Sequence, residues 1–259
     1  MKRLSKSKIH AIKLLAKKQY SLNKIRKKTR IPKTTVYYHV KKLIKKVKQV
    51  KIEKLSNWDK GYLVGFFVGD GHLDFRKNNY SYRVVFSLNK KKDRPIAERL
   101  TKIIIKARGN PYKIEFKSLL RIICISKVLF NFLRQFVIYK RIQKGKKMIN
   151  KKVGIKNIAK EGREFNFGFI SGLIDSDGCV GPDRTSIRIL ICSYFESIIQ
   201  ETHKILKNLG LISYIQFDNK RNCWILRIST PYFKQNYSKI KCIKGSWSIG
   251  KTLPSQIPE

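Results

Sequence analysis

Acidic residues are scarce in this chain. Of its 259 residues 16 are Asp or Glu, against 59 Lys or Arg, which leaves a net charge of +43. A surplus of that size argues against an ordinary neutral surface and for a polyanionic partner. An anionic membrane or an acidic protein is the alternative to nucleic acid, but the aromatic and apolar residues interleaved with the charge favour nucleic acid. Cysteines are few and form no pattern. The five, at 124, 179, 192, 223 and 242, make no CxxC, and the four histidines complete no zinc motif with them. An odd count without a framework excludes a disulfide scaffold and sets the expectation of a reducing intracellular setting, a prokaryotic cytoplasm or an organelle interior. No apolar run reaches about 18 residues and no N-terminal signal is visible, so neither a membrane span nor secretion is expected. Hydrophobic residues still make up 42% of the chain, which is enough for a sizeable core and rules out global disorder.

What the chain does contain is one short run written twice. The first copy is Tyr62-Leu63-Val64-Gly65-Phe66-Phe67-Val68-Gly69-Asp70-Gly71, the second Phe169-Ile170-Ser171-Gly172-Leu173-Ile174-Asp175-Ser176-Asp177-Gly178. Each is an apolar, helix-like segment with a Gly in its middle and Asp-Gly at its end. A central Gly costs a helix about 1 kcal/mol relative to Ala. Two glycines at matching places therefore predict two helix backbones in close contact. The Asp-Gly ends put a carboxylate at the C-terminal end of each helix, where the helix dipole disfavours it. A divalent cation is the natural compensation. Two buried core helices with ordinary Asp-Gly turns would be the plainer account of either copy alone.

Residues 1–50 are predicted to form three helices. Ile9, Ile12, Leu14 and Leu15 give the first an apolar face. Ser21 caps a short second helix carrying Leu22 and Ile25. After the break at Thr29-Arg30-Ile31-Pro32, a third helix runs from Lys33 with Val36, Val40 and Leu43 inward. The pattern resembles a helix-turn-helix, whose recognition helix would present Lys33, Thr34, Thr35, Tyr37 and Tyr38 to a DNA groove. A small basic bundle without groove contact is the alternative. Residues 51–57 read as a linker.

From residue 58 the pattern repeats. The order is helix, two alternating strands, helix, two strands, helix, first over 58–160 and then over 161–259. An internal repeat of about 100 residues predicts a pseudo-twofold molecule in one chain, hence a monomer. The fold expected is α+β: two αββαββα units making a β-saddle, plus a small all-α domain. Outward strand positions, and so candidate DNA contacts, are Arg76, Ser81, Arg83 and Ser87, with Lys113, Glu115, Lys117 and Arg121 on the second strand pair. In the second unit they are Asp183, Arg188 and Gln216. Arginines can read guanine edges, whereas lysines mostly hold phosphates.

The two runs resemble the motif of LAGLIDADG homing endonucleases in their single-chain, two-motif form. Leu63, Gly65, Asp70 and Gly71 match in the first copy, and Gly172, Leu173, Ile174, Asp175, Asp177 and Gly178 in the second. Val68 departs from the motif where its first Asp would stand. The resemblance implies a site-specific double-strand DNA endonuclease of the kind encoded in mobile introns, working with Mg2+ or Mn2+. It further implies that Asp70 and Asp177 bind the metal, with the carbonyls of Gly69 and Ser176 completing its shell. A basic residue late in each repeat is implied to orient water and screen charge. Lys156, in Gly154-Ile155-Lys156-Asn157-Ile158, and Lys251, in Gly250-Lys251-Thr252-Leu253-Pro254, fit that description, with Lys127, Lys147 and Lys244 as competitors. An RNA-binding maturase acting on intron RNA and a DNA-binding regulator without catalysis are the alternatives on the same fold.

Overall fold

The computed structural model describes residues 4–18, 20–41, 43, 49–76, 80–144, 147–183 and 186–244. The chain divides into two compact units, Met1–Lys48 and Gln49–Glu259.

The small unit holds three helices, α1 (Lys6–Lys17), α2 (Leu22–Thr29) and α3 (Lys33–Val40). Ser5 and Ser21 each accept a hydrogen bond from the amide three residues on, which satisfies one otherwise orphaned N–H at each helix start. Arg30, left-handed at φ 54°, ends α2, and Pro32 precedes α3. Ile12, Ile25, Ile31, Val36 and Val40 form a core separate from that of the large unit. Leu14 and Leu43, expected inside, are exposed because α3 stops at Val40 and Leu14 lies off the Ile12 face.

In the large unit, α4 (Asn57–Asp70) runs into β1 (Gly71–Arg76) and β2 (Ser81–Asn89). Helix α5 (Arg94–Lys106), β3 (Tyr112–Phe116), β4 (Leu119–Ile125) and α6 (Lys127–Arg134) follow. An antiparallel hairpin, β5 (Val137–Lys144) and β6 (Lys147–Ile155), comes next. The second half repeats the plan with α7 (Arg163–Asp177), β7 (Gly178–Asp183), β8 (Ser186–Ser193), α8 (Glu196–Asn208), β9 (Ser213–Asp218) and β10 (Cys223–Ile228). Two short helices end it, α9 (Thr230–Gln235) and α10 (Tyr237–Ile240). Both four-stranded sheets are antiparallel and share one order, β1-β2-β4-β3 and β7-β8-β10-β9. This is the mixed α+β, internally duplicated fold that the sequence predicts. The β5–β6 hairpin has no counterpart among the described residues of the second half. Sequence pattern does not announce it, because residues 138–155 are crowded with lysine and carry no clean apolar alternation.

Two further expectations need correction. Residues 51–57 are no free linker. Leu55 is buried with Val50 in the core of the large unit, and the Lys51 amide donates to the Ala107 carbonyl at 2.7 Å. In addition, β3 does not present Lys113 and Glu115 on the same face as Arg121. Opposed residues on antiparallel strands share a face. Lys113 lies opposite the buried Ile122 and Glu115 opposite the buried Leu120, so both belong to the helix side of the sheet. They stay exposed because β3 is an edge strand. Residues Tyr112, Ile114 and Phe116 are the ones that share Arg121's face.

One hydrophobic core spans both halves, and its centre is the α4–α7 pair. A Cβ on Gly65 would fall 2.0 Å from the Phe169 carbonyl oxygen, and one on Gly172 would fall 2.2 Å from that of Tyr62. Each helix thus drives its glycine into the other's backbone, and this close crossing brings both C-terminal ends to the axis of the pair.

Candidate functional site

Helix α4 ends at Asp70 and α7 at Asp177, and each passes directly into a strand at the following glycine. The ends are close. A Cβ on Gly69 would lie 2.6 Å from the Cβ of Ser176 and 2.9 Å from the carboxyl carbon of Asp177. Water reaches Asp177 directly, although protein crowds it on most sides, as expected of a carboxylate on the floor of a concavity. Loss of hydration is the main force on both acids. It raises Asp70 to about 6, helped by the neighbouring Asp177 charge and opposed by Lys244 and Lys152. It also raises Asp177, opposed by Lys152 and Lys244.

Two ammonium groups stand over the helix ends. Lys152 Nζ, on β6, donates to the carbonyls of Phe67 (2.8 Å), Val68 (2.6 Å), Gly69 (2.9 Å) and Gly71 (2.7 Å). Lys244 Nζ donates to the carbonyls of Ser176 and Gly178, the latter at 3.2 Å. Ser176 and Gly178 follow Gly69 and Gly71 by the same 107 positions that separate the aspartates. The two lysines are therefore counterparts. Burial pushes the Lys152 ammonium down to about 8, with Asp177 and Asp70 pulling the other way. Each ammonium sits where the orphan carbonyls of a helix C-terminus favour a cation.

Asp70, Asp177, Gly69 and Ser176 thus meet at one place. Lys156 does not join them; it is exposed, and its amide donates to the Phe136 carbonyl. Lys251 lies outside the described residues. Lys152 was not among the sequence candidates. The inserted hairpin moves it to 82 residues after Asp70, whereas Lys244 follows Asp177 by 67, so no fixed spacing reveals the pair. The signal that could have found it is topological: each lysine comes on the segment that returns to the motif helix after its unit's last strand pair and helix.

The sheet faces turned away from the helices carry most of the expected polar positions. Arg83 is largely buried and donates to Asp74 at 3.0 Å, which also accepts from Arg76 at 3.2 Å. Ser87 lies opposite Arg121, and Gln216 opposite Ile225, on those faces. Ser81 is half-buried opposite the exposed Arg76. Arg188 is exposed on β8. Lys117, at φ 40°, occupies the β3–β4 turn rather than a strand face. The side chain of Asp183 lies outside the described ones. Register adds a pair that alternation alone does not show. Tyr112 and Tyr214, 41% and 63% exposed, hold equivalent places on the open faces of the two edge strands. In the small unit Lys33, Thr34, Tyr37 and Tyr38 are exposed and Thr35 is half-buried, all on α3.

Among the described residues no group of three or more His, Cys, Asp or Glu could hold a metal, and no helix is long and apolar enough to cross a membrane. The residues at the helix ends nonetheless fit a hard divalent cation. Two carboxylates and backbone carbonyls are the oxygen donors Mg2+ and Mn2+ take, and a bound cation would offset the loss of hydration that raises both acids.

A family model described as a LAGLIDADG-like domain matches residues 164–241. Residues 164–241 are a LAGLIDADG-like domain. No curated protein sequence matches the chain. Among solved structures, I-DmoI in complex with DNA and Mn is 19% identical, with 71% of this chain and 96% of that one covered and a TM-score of 0.50. A single-substitution form of I-DmoI, in complex with its target DNA in the presence of Mg, gives the same identity and coverage with a TM-score of 0.52. Full-length DUF199/WhiA from Thermatoga maritima is 17% identical, with 78% of this chain and 63% of that one covered and a TM-score of 0.50. At these identities the likeness is one of fold, and the LAGLIDADG fold extends well beyond the matched segment into the first half of the large unit.

Proposed function

We propose that the chain is a site-specific, metal-dependent DNA endonuclease of the homing type, cutting both strands of a duplex at the α4–α7 axis. The observation that carries this reading is the duplicated site: Asp70 with Lys152, and Asp177 with Lys244, in equivalent places on two equivalent helices. A binding module has no need of two facing carboxylates beside a polyanion. The fold relatives known as complexes of I-DmoI with DNA and divalent metal support the same reading, as does the net charge of +43.

Phosphodiester hydrolysis needs an activated water and relief of the charge that grows on the phosphate and on the leaving oxygen. A divalent cation, when bound, supplies Lewis-acid stabilisation of that charge. Asp70 and Asp177 would hold it, each serving one strand, with the carbonyls of Gly69 and Ser176 at hand. Lys152 and Lys244 then contribute positive charge and hydrogen-bond donors fixed in advance by the helix-end carbonyls. The open sheet faces would lie in the major groove, and α3 would add contacts at one end of the target.

The test is cleavage of duplexes selected from a random DNA library with Mg2+ or Mn2+. Active wild-type protein, with Asp70→Asn and Asp177→Asn binding DNA but making no double-strand break, is the expected result. Full cleavage by either variant would remove the carboxylates from the mechanism. A second reading, a DNA-binding protein without catalysis, is favoured by one observation: the Gly69 and Ser176 carbonyls already receive ammonium groups. Tight binding with no cleavage of any selected duplex would favour it. An intron-splicing assay separates the maturase reading from both.

A further inference from the structure

The two motif helices differ in charge at one buried position. Val68 on α4 is replaced by Asp175 on α7, and Asp175 is 1% exposed. A buried carboxylate is costly unless it is fully bonded, and this one is. Its Oδ1 accepts from the amides of Ile243 and Lys244 at 2.7 and 2.8 Å. Its Oδ2 accepts from the Tyr62 hydroxyl at 2.8 Å and lies 3.6 Å from the Arg99 guanidinium.

The groups around Asp175 also grip the segment that carries Lys244. Arg99 donates to the Lys241 carbonyl at 2.6 Å and is stacked over the Trp58 and Tyr62 rings. The Trp58 indole donates to the Lys239 carbonyl at 2.9 Å. Residues 239–244 belong to the second half by sequence, yet side chains of the first half tie them down, Trp58 and Arg99 directly and Tyr62 through Asp175. Lys152 is carried differently, on a strand whose position is set by the β5–β6 ladder, with the apolar Val68 at the place equivalent to Asp175.

We infer that Asp175 is a positioning residue for one of the two reaction centres: it fixes the Ile243–Lys244 backbone so that the Lys244 ammonium caps α7, and cutting of one DNA strand depends on it while cutting of the other does not. This rests on the endonuclease reading above. The two centres are then built to the same geometry by different means, and they can be uncoupled.

The experiment uses the full chain and a cleavable duplex with the two strands separately labelled. Asp175→Val, which copies Val68, should slow one strand on the order of 10- to 100-fold and the other by less than about twofold, so that nicked duplex accumulates. Lys244→Met should slow the same strand. Asp175→Asn keeps an acceptor for both amides and should restore near-normal cutting of both strands. Arg99→Met, which leaves Asp175 in place, should give the same bias in smaller measure if Asp175→Val does not fold. Amide hydrogen exchange supplies a readout that does not need cleavage: Ile243 and Lys244 should exchange faster in Asp175→Val while the α4 and α7 amides keep their protection. Equal slowing of both strands, unchanged rates on both, or unaltered exchange at Ile243 and Lys244 would overturn the inference. If the wild-type chain cuts no DNA while Asp175→Val still shows faster exchange at Ile243 and Lys244, the endonuclease reading fails and the Asp175 tie stands.

Discussion

The carbonyl oxygen of Phe169 occupies the space that a side chain on Gly65 would need, 2.0 Å from its ideal Cβ. Because the obstacle is backbone, the helices must separate to admit even a methyl group. Gly65→Ala should destabilise the large unit by about 3 kcal/mol, at the upper end of overpacking costs. For a unit of this size that lowers the melting temperature by roughly 6–12 °C. Gly181→Ala, where nothing lies within 4 Å, is the control and should leave it nearly unchanged. Thermal melts followed by circular dichroism decide the matter, and equal melting of the two variants would refute the packing account.

This crossing was legible in the sequence because small residues at matching positions have few other uses inside an apolar helix. So were the strand pairs, wherever apolar residues alternate with polar ones, as Leu73 and Phe75 do with Asp74 and Arg76. Legibility failed where lysine density masked the periodicity, which concealed the β5–β6 hairpin and with it Lys152. It failed also at Lys113 and Glu115, since alternation within one strand cannot say which face points inward at a sheet edge. Only the pairing of Ile114 with Arg121 settles that. Asp175 stands within the repeated motif, but its partners Ile243 and Lys244 lie 68 and 69 residues further along the chain, out of reach of any local pattern.

The raised Asp70 carboxyl carries a stability cost that a substitution should expose. Its folded value of about 6 exceeds the ordinary 3.8, so the folded chain holds a proton that the unfolded chain has released between those limits. Ionised Asp70 therefore costs stability above about pH 6, and the cost fades as pH falls toward 4. In metal-free buffer at pH 7.5, Asp70→Asn should raise stability on the order of 1–2 kcal/mol, after allowing for its partial contact with water. At pH 4 the difference should vanish. Added Mn2+ should stabilise the wild type and leave the variant largely unmoved. Melting curves at the two pH values, with and without Mn2+, test this; a variant less stable than wild type at pH 7.5 contradicts it.

Lys152 and Lys156 stand on one segment and should behave oppositely. Lys152 Nζ is bonded to four carbonyls at the end of α4, whereas Lys156 is exposed beyond the end of β6. Under the endonuclease reading, Lys152→Met should slow one strand by about 100-fold, the lower range for loss of a proton-transfer or charge-stabilising group. Lys156→Met should change either strand by no more than about twofold. Single-turnover cleavage on strand-labelled duplex measures both. Comparable losses from the two variants would return the role to the position that sequence spacing suggests.

The small unit has its own core of Ile12, Ile25, Ile31, Val36 and Val40, and the large unit's core begins at Val50. A chain of residues 49–259 should therefore fold with the melting temperature of the large unit in the full protein. What it should give up is charge held against DNA phosphates. The small unit presents Lys33, Arg26, Lys27 and Arg30 around one cleft at the start of α3. Every phosphate that is no longer neutralised lowers the slope of log affinity against log salt by roughly 0.9. Binding measured from 50 to 200 mM salt should thus be weaker and flatter for the shortened chain, with the gap to the full chain closing as salt rises. If instead the small unit contributed only through base contacts, the two salt lines would run parallel, displaced in affinity but equal in slope.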